Sequence, residues 1–217
     1  MKPLMTPLFA AVLLLASCAK DKISGSGTIT TEHRSVSNFT KLTTAGAADV
    51  HVLQGANFSV QVKGYSNLLP YFETRVVNNT LAVGYKEGTN VRNDNVEVFV
   101  TMPTLEGARI EGSADMDVKG TFTSNRMDFS VDGSGNIDVE NGTTQGLYTA
   151  ISGSGNIRLH GLMADAADVN IAGSGTTEVT VVTYLKATLT GSGNVYYKGT
   201  PVVESSVSGT GKIVHRP

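Results

Sequence analysis

The residues of this chain best placed to do chemistry are Asp117, Asp138, Arg158 and Glu178, charged positions at a nearly regular interval, with Tyr196 continuing the series. Carboxylates beside a guanidinium are what a glycan lyase or hydrolase needs: an acid, a base and a cation facing the developing charge. The same set has a structural use. Opposite charges stacked in neighbouring strands gain roughly a few tenths of a kcal/mol per pair and relieve like-charge contacts. That use accounts for the pattern, so no catalytic residue is assigned. His33, His51, His160 and His215 show no paired ligand spacing, and Cys18 is the only cysteine, so neither a metal site nor a cofactor is expected. Flat rings that could carry a sugar are scarce, for the chain has no Trp. Tyr184, Tyr196 and Tyr197 form the aromatic group of the C-terminal part, and Tyr184 and Tyr196 are the candidate contact surface for a protein or glycan ligand.

What must position these residues is a repeat. Gly-Ser-Gly-Asn stands at 133–136, 153–156 and 191–194, with near-copies at 112–115, 173–176 and 209–212. A period of 18 to 21 residues marks a solenoid whose units bury their apolar faces only against neighbours. Two and four residues before each first glycine the side chains are apolar or small, as at Val131 and Phe129 or Ile151 and Thr149. Apolar alternation resumes beyond the glycines at Ile137 and Val139 or Ile157 and Leu159. Period two on both sides of a glycine pair reads as two short strands meeting at a corner. Gly133, Gly135, Gly153, Gly155, Gly173, Gly175, Gly191, Gly193, Gly209 and Gly211 are the expected corner glycines, with both members of each pair at positive φ. The expected fold is all-β: a single-stranded parallel β-helix in which Asn136, Asn156 and Asn194 belong to one amide ladder interrupted by Thr176. A phosphate-binding loop is excluded because no helix pattern follows the glycines. A calcium-binding roll is excluded because its nine-residue period and fixed Asp are missing.

Before residue 25 the composition differs. Lys2 is followed by the apolar run Leu8 to Ala16, too short to span a bilayer, and by Leu15-Ala16-Ser17-Cys18. This resembles the lipobox of bacterial lipoproteins, which implies a signal peptide over 1–17, removed when Cys18 is lipidated through its thiol and becomes the new N-terminus. Residues 18–24 then read as lipidated end and polar tether, 25–107 as irregular coils capping the stack, and 108–217 as the regular coils of the same domain. Removal of Lys2 takes the formal charge from −2 to −3, which suits neither a nucleic-acid partner nor a basic membrane-surface protein. The membrane is met through the lipid alone. Asn78-Asn79 reads as a hairpin turn within the cap.

Val96-Glu97-Val98-Phe99-Val100-Thr101-Met102-Pro103, then Leu105 and Gly112-Ser113-Ala114-Asp115, resemble the head GIN domain family of auto-transporter adhesins. Phe39, the segment 46–55, Leu68-Leu69-Pro70 and Asn79-Thr80-Leu81 fit the same pattern. The resemblance implies a right-handed β-helix exported by Bacteroidota, with no catalytic residue to carry over. Ala114 and Lys212 depart from the repeat in its outer coils. The resulting expectation is a lipid-anchored envelope protein, at the outer membrane, acting without catalysis as an adhesion or interaction module. A glycan-active envelope enzyme and a structural spacer are the competing classes.

Overall fold

Alternation of small polar and apolar side chains makes strands, and the glycine pairs bend them. The structure, a computed structural model, describes residues 22–217; the expected signal peptide and Cys18 lie outside the described residues. The N-terminal strands are β1 (Lys22–Ser24), β2 (Ile29–Arg34), β3 (Lys41–Gly46), β4 (Asp49–Gln54), β5 (Ser59–Tyr65), β6 (Phe72–Val77), β7 (Thr80–Tyr85), β8 (Asn90–Arg92) and β9 (Glu97–Met102). The regular part comprises β10 (Gly107–Gly112), β11 (Asp115–Gly133), β12 (Asn136–Gly153), β13 (Asn156–Gly173), β14 (Thr176–Gly191), β15 (Asn194–Lys198), β16 (Val202–Gly209) and β17 (Lys212–His215). They form a β-solenoid of about 5 turns.

Each corner stacks on the one before it. The carbonyl of Gly133 accepts the amides of Ser154 (2.9 Å) and Gly155 (3.2 Å), and the carbonyl of Gly135 accepts the amide of Asn156 at 3.2 Å. The two glycines serve different ends. The first alone takes positive φ, 128° at Gly153, with Gly133, Gly173, Gly191 and Gly209 alike. Gly135, Gly155, Gly175, Gly193 and Gly211 do not share that conformation, which corrects the expectation from sequence. They are needed for closeness: a Cβ on Gly155 would fall on the carbonyl oxygen of Gly135, far inside van der Waals contact. Asn156 Nδ2 donates to Asn136 Oδ1 and Asn136 Nδ2 to Asp115 Oδ1, both at 2.7 Å, and the Thr176 amide closes on Asn156 Oδ1.

Between corners the chain does not stop at two short strands. β11 to β13 run 18 or 19 residues from one glycine corner to the next and lay down a third face, where Phe122, Gly142 and Leu162 pair in register. The later coils have 18 residues because the register loses three residues between Arg158 and Met163 and regains one between Ala164 and Ala166, while the glycine corner keeps its alignment. Phe129, Val131, Ile137, Ile151, Ile157, Leu162, Val169, Leu185 and Leu189 fill one continuous interior.

The N-terminal part is not a series of earlier coils. Asn78 and Asn79 take φ of 48° and 60° and close β6 onto β7 as an antiparallel hairpin. Segments β3 and β4 form a true rung, with Gly46 in register with Gly112. That rung is interleaved: β3 lies between β7 and β10, and β4 between β9 and β11. The chain therefore leaves the rung, builds β5 to β9 on its outer side, and re-enters on its inner side at β10. Antiparallel β2 and β5 continue outward from β9. Phe39 against Phe58 (4.8 Å) and Phe72 edge-on to Tyr85 (5.1 Å) fill the cap. Lys22–Ser24, read as tether in the sequence, pair with Asn90–Arg92 as β1 and β8.

Candidate functional site

Parallel register brings Asp117, Asp138, Arg158, Glu178 and Tyr196 into one outward ladder across β11 to β15, as their spacing implies. The side chains then divide it. Arg158 turns to Asp138, Nη1 donating to Oδ2 at 3.0 Å and Oδ1 at 3.3 Å. Glu178 is instead held by His160, whose Nδ1 lies at 3.5 Å, and by Arg216 Nη1 at 3.4 Å. Asp117 faces His51 at 3.5 Å, and the His51 ring stacks on Phe99 with centroids 5.0 Å apart. Each carboxylate thus has its own basic neighbour, and Asp138 and Glu178 do not converge on one point across Arg158. The arrangement balances charge along the outer face of the sheet. The Arg158–Asp138 pair is about one-third exposed, so Arg158→Gln is expected to shift the urea unfolding free energy by no more than about 1 kcal/mol; a loss well beyond that would mark the ladder as more than a surface pair.

The two candidate tyrosines are not brought together. Tyr196 carries the Arg216 guanidinium 3.5 Å from its ring centroid, so that face is already covered. It borders a depression of about 280 Å³ with His160, Glu178 and Lys198. Tyr184 stands on the strand leading to the next corner and borders a second depression, of about 250 Å³, floored by Gly146 and Ala166. Its hydroxyl donates to the Glu204 carboxylate in the next rung, and this bond, with partial desolvation and the charges of Glu204 and Asp168, raises the tyrosine's pKa above its ordinary value. The floor of this second depression escaped the reading of the sequence. Its signal was present in the spacing of 20, 20 and 18 residues that aligns Arg126, Gly146, Ala166 and Tyr184.

The histidines fall on four different strands. No helix among the described residues is long and apolar enough to cross a membrane.

Residues 38–201 match the family described as "Putative auto-transporter adhesin, head GIN domain". Among solved structures, the chain is similar to a putative adhesin from Bacteroides fragilis, 24% identical with a TM-score of 0.77, over 89% of this chain and 100% of that one. It is also similar to a putative adhesin from Parabacteroides merdae (22%, TM-score 0.63, 91% and 100%). A putative lipid binding protein from Parabacteroides distasonis is as close (22%, TM-score 0.64, 91% and 100%). At such identities the likeness establishes the fold alone. A search of curated proteins gives no match.

Proposed function

Since this chain belongs to the head GIN domain family, we propose that it is a lipid-anchored protein of the bacterial cell envelope, at the outer membrane, that works without catalysis as an adhesion module. The observation that carries the reading is the extent of the family match, from the cap at residue 38 to residue 201 in the last coils, so that the matched region and the solenoid nearly coincide. The names of the two putative adhesins among its structural neighbours agree with it. The outer face supports it as well: the carboxylates of its charged ladder each sit beside a separate basic side chain, and its depressions face solvent. A rigid rod of stacked rungs, tethered at Cys18, holds such a face away from the membrane. The partner is a surface protein or glycan of another cell.

Protease shaving of intact cells tests this directly. Tryptic peptides from the solenoid should be released from living cells, and deletion of the gene should reduce adherence, with recovery when the full chain is restored. Full protection from protease together with unchanged adherence would leave the structural spacer in its place.

A further inference from the structure

Glycine inside a strand weakens it, because it adds backbone entropy to the unfolded chain and offers no side chain to pack. The other glycines of the described residues have a reason to be glycine, either positive φ or a neighbouring atom within about the distance a Cβ requires. Gly146 has neither. Its φ lies outside the left-handed range, and the nearest atom to a Cβ built there is the Asn125 carbonyl oxygen, 4.0 Å away. The fold would accept a larger residue at this point. A strand glycine without a conformational or packing cause points to something outside the chain that approaches the backbone closely.

The surroundings say what that something is. Gly146 and Ala166 leave two adjacent rungs without bulk, while Arg126 and Tyr184 stand in the rungs on either side. At about 4.8 Å per rung, these two lie roughly 14 Å apart at the backbone. One outward position further on, Tyr148, Asp168 and Lys186 form the adjoining wall in consecutive rungs. The resulting depression of about 250 Å³ is slightly smaller than the roughly 300–1,000 Å³ of drug-sized sites, a volume for a single ring. Tyr184 is fixed by its bond to Glu204, so its ring is already in place before a ligand arrives. Carboxylates slightly outnumber cations: Arg126 Nε donates to Asp128 Oδ1 at 2.9 Å, and Lys186 lies between Asp168 and Glu204 in its ladder. A phosphate or uronate would gain little there. A neutral ring with hydroxyl groups suits it better, its C–H face against a tyrosine and its hydroxyls donating to Asp168 and accepting from Lys186.

We propose that the depression over Gly146 and Ala166 binds one neutral pyranose unit of a glycan. The inference rests on the adhesion reading and supplies the class of ligand for it.

The test is saturation-transfer NMR on the purified full chain, with methyl glycosides of glucose, galactose, mannose and N-acetylglucosamine at tens of millimolar. At least one should bind, with Kd on the order of 1 mM, as a single-sugar site of this size implies. Gly146→Ile should fill the depression and weaken that binding at least tenfold, while the melting temperature stays equal or rises because a β-branched residue replaces glycine in a strand. Tyr184→Leu, at an exposed position, should weaken it similarly. Failure of all four glycosides to bind, or binding unaffected by Gly146→Ile in a protein of unchanged melting temperature, overturns the proposal. Adherence that depends on the chain without any glycoside binding would sink this inference and leave the adhesion reading standing; binding with adherence unchanged on gene deletion would do the reverse.

Discussion

Gly155→Val is expected to destabilise the solenoid by about 2–5 kcal/mol, from overpacking of roughly 1–3 kcal/mol and the loss or stretching of one or two backbone hydrogen bonds of about 1 kcal/mol each. The new Cβ would meet the Gly135 carbonyl oxygen, a backbone atom that cannot swing aside as a side chain could. That same oxygen accepts the Asn156 amide, and the Gly155 carbonyl in turn accepts the Thr176 amide at 3.3 Å. Moving one corner therefore disturbs the rungs on both sides. Ser154→Ala, one residue earlier and exposed, should stay within about 0.5 kcal/mol of the parent. The loss expected for Gly155→Val corresponds to a melting point lower by about 10 °C for a chain of this length, and that for Ser154→Ala to about 2 °C at most. Thermal melts of the two variants followed by circular dichroism decide the matter, and equal transitions would remove the close-contact role of the second glycine.

The other large effect concerns location. Cys18→Ala is expected to move the protein from the membrane pellet to the soluble fraction, because the lipid proposed at that thiol is its attachment and no helix among the described residues can cross a bilayer. Fractionation of cells expressing the two chains, with a high-salt wash of the membranes, measures it. If the variant stays in the washed pellet, another segment or partner holds it there and the lipid anchor is wrong. Mass spectrometry of the parent adds an independent reading, since a processed chain would begin at Cys18 with the added mass of its acyl groups.

How much could be read beforehand depended on how local each constraint was. The corners were legible because every rung presents glycine at the first corner position, where φ is positive, and this imposes a period that side-chain variation elsewhere cannot blur. The third face was hidden, since Phe122, Gly142 and Leu162 share no residue type, and the shorter coils lose their two residues there. Register allowed the Asp138–Arg158 contact to be anticipated. It could not show that Glu178 would prefer His160 and Arg216, a choice made by reach from a neighbouring position and from the residue that follows the strand Lys212–His215. The roles of the paired glycines were merged for a similar reason: positive φ and a forbidden Cβ both select glycine, and only the backbone path separates them. The depression over Gly146 went unnoticed because a missing side chain has no pattern of its own until its rung neighbours are known.

The interleaving of β3 and β4 also fixes the order in which the molecule can be made. A solenoid that stacks in sequence can assemble as it emerges from a ribosome or a secretion channel, each coil settling on the one before. Here the rung at 41–54 has no parallel neighbour until residues 80–84, 97–102 and 107–119 have followed it out, and closing those loops costs entropy before any pairing repays it. Regular coils after residue 107 are free to nucleate among themselves over spans of about 20 residues. The rung synthesised first therefore waits for residue 119 before both of its sides are paired. During that interval β3 and β4 are strands with bare edges, so the segment before residue 107 is where mispairing with another chain has its opening.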